Sequence, residues 1–172
     1  MMSPTKLSAG MEDYLEAIYH IVSEKQAART KDISKRLKVK MSSVTGALHS
    51  LAEKRLINYA PYEIITLTPR GKTLARDVVR RHEALRNFFT KVLLIDDRIS
   101  DETACKMEHA MPPQILKRLT EFAEFIETCP RAGIEWLQEF RYRCEHGKAK
   151  PDKCQSCLDQ CLEQYRQGRK SD

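Results

Sequence analysis

The sequence has no long apolar run. No stretch of about 18 consecutive apolar residues occurs in the 172-residue chain, and the segment MMSPTKLSAG has no apolar core. We therefore expect no membrane span and no secretory signal, and we expect a cytoplasmic location. Phosphate-binding loops and nucleophile motifs are also missing, which argues against an enzyme. With 41% hydrophobic and 31% charged residues, the chain has the composition of a folded protein.

Basic charge is concentrated in one segment. The chain carries a net charge of +6, and between Lys25 and Arg55 nine basic residues face only two acidic ones. Such a segment can be an ordinary solvated surface, but it also suits an anionic partner. The chain has six cysteines, which in a cytosolic protein indicate metal or redox chemistry before structural disulfides.

The apolar pattern predicts a mainly helical fold. Apolar residues recur at helical spacing from Met11 to Val22, which is typical of an amphipathic helix. A second helix is expected to begin with Thr30 as its N-cap, and a third with Ser42 as its N-cap. The buried side of the third helix would consist of Val44, Leu48 and Leu51.

A hairpin and a long helix are predicted next. The segment from Leu56 to Thr68 has two β-rich stretches around a Tyr-Glu turn. Thr68 followed by Pro69 is a helix start. Three helices, with a tight turn before the third and a hairpin after it, form a winged helix-turn-helix, whose third helix lies in the DNA major groove.

The expected DNA contacts lie mainly on the third helix. Small polar side chains can reach base edges, lysines suit phosphate oxygens, and a glycine lets the backbone approach DNA. The predicted contact residues are Thr30, Lys38, Lys40, Ser42, Ser43, Thr45, Gly46 and His49. The alternative is a winged helix that serves only in a protein complex.

A metal site is indicated by Cys105, Glu108 and His109. Their spacing of i, i+3 and i+4 would place them on one face of a predicted helix. A thiolate, a carboxylate and an imidazole suit a divalent transition metal better than calcium or magnesium. A zinc enzyme is a weaker alternative.

Several sequence strings together resemble a known family. MEDYLEAIY, SSVTGALHSLAEKRLINY, LTPRGKTLA, VVRRHEAL and DETACKMEHAM occur in order from about residue 11 to residue 111, and the likeness extends to about residue 125. They resemble the metal-dependent repressors typified by the diphtheria toxin repressor and the manganese transport repressor. The resemblance implies a homodimer that binds pseudo-palindromic operators when metal is bound.

The resemblance also implies six metal ligands. They are Asp13, Glu16, His82, Cys105, Glu108 and His109. Cys105 matches the iron-sensing branch of the family, whereas Asp13 matches the manganese-sensing branch. The regulatory ion is therefore expected to be Fe(II) or Mn(II), and the thiolate favours Fe(II). At the position of an ancillary ligand of the iron branch stands Arg86, which cannot ligate a cation, so no ancillary site is expected there.

The C-terminal segment has a cysteine motif of its own. Cys144, Cys154, Cys157 and Cys161 are spaced C-x9-C-x2-C-x3-C. Four thiolates could hold Zn(II) or an iron–sulfur cluster, or they could be free or redox-active. Cys129 could replace one of the four, and His146 is a weaker substitute.

Three regions are thus predicted in a mainly α fold. Residues 1–75 form a winged helix-turn-helix, residues 76–126 a helical metal-binding and dimerisation domain, and residues 127–172 a small Cys-rich extension. The predicted function is a metal-dependent repressor of iron or manganese homeostasis. The alternative is a redox or iron–sulfur-sensing regulator that uses the C-terminal cysteines.

Overall fold

A computed structural model describes residues 7–60, 63–128, 134–147, 159, 162 and 163. The chain divides into two compact units, Met1–His82 and Glu83–Asp172. The described residues form mainly helices and one small sheet, which confirms the predicted fold class of a winged helix-turn-helix followed by a helical domain. None of the described helices is both long and apolar enough to cross a membrane.

The first unit begins with three helices. These are α1 (Ala9–Lys25), α2 (Thr30–Leu37) and α3 (Met41–Glu53). Their apolar faces share one core, because side chains at helical spacing are fully buried, among them Leu15 and Ile18 of α1, Ile33 of α2, and Val44, Leu48 and Leu51 of α3. The predicted buried side of the third helix is therefore confirmed.

The predicted N-caps of α2 and α3 are wrong. Arg29 and Lys40 occupy the N-cap positions in extended conformation, and neither makes a side-chain capping hydrogen bond. Thr30 is the first residue of α2, and Ser42 is the second residue of α3. The reason is the short turn at Lys38, whose φ of 55° ends α2 and leaves too few residues for the chain to remain extended as far as Ser42.

The hairpin consists of β1 (Ile57–Asn58) and β2 (Thr66–Leu67), which pair antiparallel with Ile57 opposite Leu67. A third segment joins it, since Ala28 and Ile65 form an isolated antiparallel bridge. The Ala28 N–H donates to the Ile65 carbonyl at 3.0 Å, and the Ile65 N–H donates to the Ala28 carbonyl at 2.8 Å. This bridge ties the segment just before β2 to the α1–α2 connection.

Helix α4 (Pro69–Asn87) starts as the sequence predicts. The Thr68 hydroxyl accepts from the Gly71 N–H at 3.0 Å and lies within donating distance of the Leu56 carbonyl at 3.1 Å. A Cβ on Gly71 would lie 1.8 Å from that same carbonyl oxygen. Glycine is therefore required where α4 crosses the end of α3 and the start of the hairpin.

The second unit begins within α4, which continues without interruption across the boundary between the units. A π-helical segment (Phe88–Val92) follows, then α5 (Asp97–Met107), α6 (Pro113–Thr128) and α7 (Ile134–His146). Leu85, Phe89 and Ala104 form a small core, against which Leu116 and Leu119 of α6 pack. Helix α7 includes Cys144 of the C-terminal cysteine motif.

Candidate metal centre and nucleic-acid interface

The polar face of α3 lies opposite its buried face. Ser42, Ser43, Gly46 and His49 are exposed. Thr45 is half-buried, and its hydroxyl donates to the Met41 carbonyl at 3.1 Å. The structure therefore places four of these five predicted contact residues in solvent on one helix.

Gly46 has no packing role within the described part of the chain. A Cβ built on it would meet no atom within 4 Å. Glycine in the middle of a helix costs about 0.5 to 1 kcal/mol relative to alanine. Packing among the described residues therefore does not explain this glycine.

Lysines flank the start of α3. Lys38 and Lys40 are both exposed, whereas Thr30 is half-buried. Two other cations of the basic segment are used in contacts between helices: Lys25 pairs with Asp32 at 3.1 Å, and Arg36 pairs with Glu24 at 2.9 Å. The hydrogen bond from Arg36 lowers the pKa of Glu24, and the hydrogen bond from Lys25 lowers the pKa of Asp32.

A contact that the sequence did not predict connects α3 with the hairpin. The rings of His49 and Tyr59 meet edge to face, with centroids 5.3 Å apart. His49 is thus held by the residue that follows β1. This aromatic pair connects α3 with the hairpin on the exposed side of α3.

In the first unit, three predicted ligands lie on two helices. Asp13 and Glu16 are on α1 and His82 is on α4, and all three are half-buried. A carboxylate oxygen of Glu16 and a ring nitrogen of His82 lie within 4.8 Å of each other. On its other side, Glu16 is 3.5 Å from the His20 Nε2, one turn along α1. This spacing of carboxylate and imidazole suits a transition metal.

In the second unit, the other three ligands surround the end of α5. Helix α5 ends at Met107, with Glu108 as its C-cap in helical conformation and His109 in the following turn. Cys105 is exposed. Glu108 is fully buried, as are Ser100 and Ala104, which precede it at helical spacing.

The carboxylate of Glu108 is the most informative single group of this region. It is fully buried, and its Oε1 lies 3.2 Å from the Nε2 of His109. A buried carboxylate needs compensation by hydrogen bonds, an opposite charge or a metal ion. Carboxylate, imidazole and a nearby thiolate form a donor set that fits Fe(II) or Mn(II).

Arg86 occupies the place where the sequence excluded an ancillary metal. Its guanidinium lies 2.6 Å from Asp97 and 3.8 Å from Asp101 of α5. The hydrogen bond to Asp97 raises the pKa of Arg86, so the group stays cationic. Arg86 is thus a permanent cation placed between two carboxylates.

Of the four cysteines in the C-terminal motif, the structure describes only the first. Cys144 is exposed on the last turn of α7. Beside it, the ring of His146 stacks on Tyr142 with centroids 4.0 Å apart. Cys129, Cys154, Cys157 and Cys161 lie outside the described residues.

Two family profiles match consecutive parts of the chain. Residues 6–64 match the iron-dependent repressor N-terminal DNA-binding domain. Residues 68–137 match the iron-dependent repressor metal-binding and dimerisation domain. Along the chain, the match to the DNA-binding profile thus precedes the match to the metal-binding and dimerisation profile.

The alignments with curated relatives cover most of each relative's length. An uncharacterised HTH-type transcriptional regulator of Methanocaldococcus jannaschii is 37% identical over 119 residues, which is 69% of this chain and 95% of that protein. The HTH-type transcriptional regulator MntR of Bacillus subtilis is 32% identical over 136 residues, 79% of this chain and 94% of that protein.

Similar solved structures align with this chain over a smaller share of their own length. A crystal structure of IdeR from T. acidophilum is similar with a TM-score of 0.59 and 30% identity, covering 71% of this chain and 55% of that one. A manganese-dependent transcriptional repressor in complex with manganese gives a TM-score of 0.60 and 26% identity, covering 67% of this chain and 53% of that one. The chain thus spans about half the length of these two structures.

The two matching profiles describe a DNA-binding repressor and not an enzyme, in agreement with the prediction from the sequence. The chain belongs to the iron-dependent repressor family, the metal-dependent transcriptional repressors of the diphtheria toxin repressor and manganese transport repressor type.

Proposed function

We propose that this protein is a cytoplasmic repressor of iron or manganese homeostasis that binds a pseudo-palindromic operator as a homodimer when a divalent ion is bound. The observation that carries the proposal is the fully buried Glu108 carboxylate, 3.2 Å from the imidazole of His109. A carboxylate beside an imidazole is a donor pair that suits a divalent transition metal ion.

The proposed ligands are those that the family resemblance implies. Asp13, Glu16, His82, Cys105, Glu108 and His109 would bind one ion together. The close approach of Glu16 to His82 within the first unit supports this assignment. The bound ion would supply positive charge that holds these donors together.

The nature of the ion follows from the donor set. Three carboxylates and two imidazoles accept either Mn(II) or Fe(II), and the thiolate of Cys105 favours Fe(II). Among the relatives, those called MntR are manganese regulators by name, whereas the matching family profile is named for iron. We propose Fe(II) as the physiological ion, with Mn(II) as an effective substitute.

The output of the site would be operator binding. The exposed Ser42, Ser43 and His49 of α3 would reach base edges, and Lys38 and Lys40 would contact phosphates. Two copies of α3 in a dimer would read two half-sites. A coupling of about 1 to 3 kcal/mol between metal and DNA binding would change operator affinity by about 5- to 150-fold.

An exposed apolar surface supports the homodimer. Ile115, Phe122 and Phe125 of α6 are 50%, 46% and 58% exposed. Large apolar side chains grouped on one helix are typical of a surface that another protein covers. A second copy of the same helix would bury them.

The test is a metal-dependent DNA-binding titration. Operators would be selected from random DNA with the Mn(II)-loaded protein, and affinity would then be measured by fluorescence anisotropy with Mn(II), with anaerobic Fe(II) and with chelator. We expect tight binding only with metal. His109→Ala should lose the metal response, whereas His146→Ala, which changes an exposed histidine of α7, should keep it. DNA binding that ignores both ions would contradict the proposal.

The C-terminal cysteines support a second candidate function. The exposure of Cys144 at the end of α7 leaves its thiol accessible to an ion. We propose that Cys144, Cys154, Cys157 and Cys161 bind Zn(II), with Cys129 as a possible replacement for one of them. An iron–sulfur cluster at the same thiolates would make the protein a redox sensor.

Metal and sulfide analysis of anaerobically purified protein separates these alternatives. One zinc per chain, lost in Cys154→Ser but retained in Cys105→Ser, is the expected result. Visible absorption with equimolar iron and sulfide would favour the cluster. A chain without zinc, iron or sulfide would contradict both candidates for the tail.

A further inference from the structure

An ion pair connects α1 with α4 beside the metal ligands of the first unit. Glu12 Oε2 lies 2.7 Å from Arg81 Nη2. The two side chains are only 16% and 24% exposed. By comparison, the neighbouring pair of Arg80 with Asp77 is 3.6 Å long, and its side chains are 77% and 56% exposed. A short, partly buried ion pair is screened less by solvent than an exposed one.

The position of this pair in the sequence is informative. Glu12 directly precedes Asp13, and Arg81 directly precedes His82. One turn further along α1, Glu16 brings a carboxylate oxygen within 4.8 Å of a His82 ring nitrogen. The ion pair therefore joins the two helices next to the residues whose mutual distance decides whether they can share an ion.

We propose that Glu12 and Arg81 are positioning residues for the metal site. They fix the relative register of α1 and α4, so that Asp13, Glu16 and His82 are arranged before metal binds. This inference rests on the proposed function. A preformed set of ligands avoids the cost of ordering them at the moment of binding. Loss of residues that orient metal ligands typically reduces metal affinity by about 10- to 100-fold.

A purely electrostatic role would have a different signature. If only charge mattered, removing the cation of Arg81 would tighten the binding of a divalent ion, and removing the anion of Glu12 would weaken it. If the pair positions the ligands, both changes weaken binding, because either one breaks the connection between the helices. The sign of the Arg81 effect therefore separates the two explanations.

The experiment is a titration of full-length protein with Mn(II), in which the electron paramagnetic resonance signal of the free ion reports the bound fraction. Glu12→Gln, Arg81→Met and the double variant would be compared with wild type, and Arg80→Met is the matched control. We expect both single variants and the double variant to bind Mn(II) about 10- to 100-fold more weakly. Arg80→Met should stay within about twofold, and Arg81→Lys should recover part of the affinity.

Tighter or unchanged binding in Arg81→Met would overturn the proposal, and so would a double variant that binds like wild type. The double variant leaves no unpaired charge in the contact, so it keeps the test open if a single variant fails to fold. Thermal unfolding of each variant shows whether an affinity loss occurs in a folded protein. If wild-type protein binds no Mn(II), or if His109→Ala binds like wild type, the proposed function fails. If those two proteins behave as expected and the Glu12 and Arg81 variants match Arg80→Met, only the positioning role fails.

Discussion

Replacing Gly46 by alanine should change stability and DNA affinity in opposite directions. Gly46 lies inside α3, and a Cβ at this position meets no atom within 4 Å. The substitution therefore adds a methyl group without a clash. It also removes backbone freedom from the unfolded chain, and both effects favour the folded state.

The size of each effect follows from the surroundings of the residue. Alanine should stabilise the fold by about 0.5 to 1 kcal/mol, which raises the melting temperature by roughly 2 to 6 °C for a unit of this size. On the DNA side, a methyl group at a closely packed contact costs about 1 to 3 kcal/mol. Operator affinity should then fall by roughly 5- to 100-fold.

The assay combines scanning calorimetry with anisotropy titrations on the selected operator, both in the presence of Mn(II). Gly10→Ala is a matched control, because Gly10 is also helical and a Cβ there also meets no atom within 4 Å. The control should leave DNA affinity unchanged. If Gly46→Ala binds the operator as tightly as Gly10→Ala does, the explanation of this glycine by close approach of DNA is refuted.

Three further predictions concern the fold. Gly71→Ala should destabilise the protein by several kcal/mol, because its Cβ would lie 1.8 Å from the Leu56 carbonyl oxygen. Chemical denaturation measures this loss of stability, and a loss below about 1 kcal/mol would contradict the prediction. Thr68→Ala should cost about 1 kcal/mol through loss of the α4 cap, and an unchanged denaturation midpoint would count against that role. Glu24→Gln should reduce stability slightly at neutral pH, since Arg36 lowers the pKa of Glu24 in the folded state. The stabilisation by the ionised Glu24 is present above its pKa in the unfolded chain. It is lost as the pH falls through its pKa in the folded protein. The difference between variant and wild type in thermal unfolding should therefore shrink as the pH falls through the lowered pKa of Glu24, and a difference that persists once the carboxyl is protonated would exclude this cause.

Patterns within one helix were predicted well. The spacing of Val44, Leu48 and Leu51 determined which side of α3 is buried, because helical periodicity is a local property. The start of α4 was predicted for the same reason, since Thr68 and Pro69 are adjacent and their roles are local.

Helix ends were predicted less well. Ser42 is a good N-cap by residue type, but α3 begins at Met41, two residues earlier than a Ser42 cap would allow. The end of α5 at Met107 has no glycine or adjacent proline to mark it, and Pro112 lies five residues beyond. Consequently the sequence predicted the chemistry of Glu108 and His109 but not the burial of the carboxylate.

Contacts between distant segments could not be predicted from local patterns. The pairing of Glu12 with Arg81 joins two helices that are far apart in sequence, and either residue alone is an ordinary charged residue on a helix. The edge-to-face contact of His49 with Tyr59 is of the same kind. The sequence contains one hint of the first contact, because Glu12 and Arg81 each stand next to a candidate ligand.

The bridge between Ala28 and Ile65 has a consequence for hydrogen exchange. Both residues are fully buried, and each amide donates to the carbonyl of the other. Both amides are shielded from solvent, because the bridge lies within the core of the first unit. The two amides should therefore exchange at the same slow rate as the central amides of α3, so that the hairpin and the helix-turn-helix open as one cooperative unit.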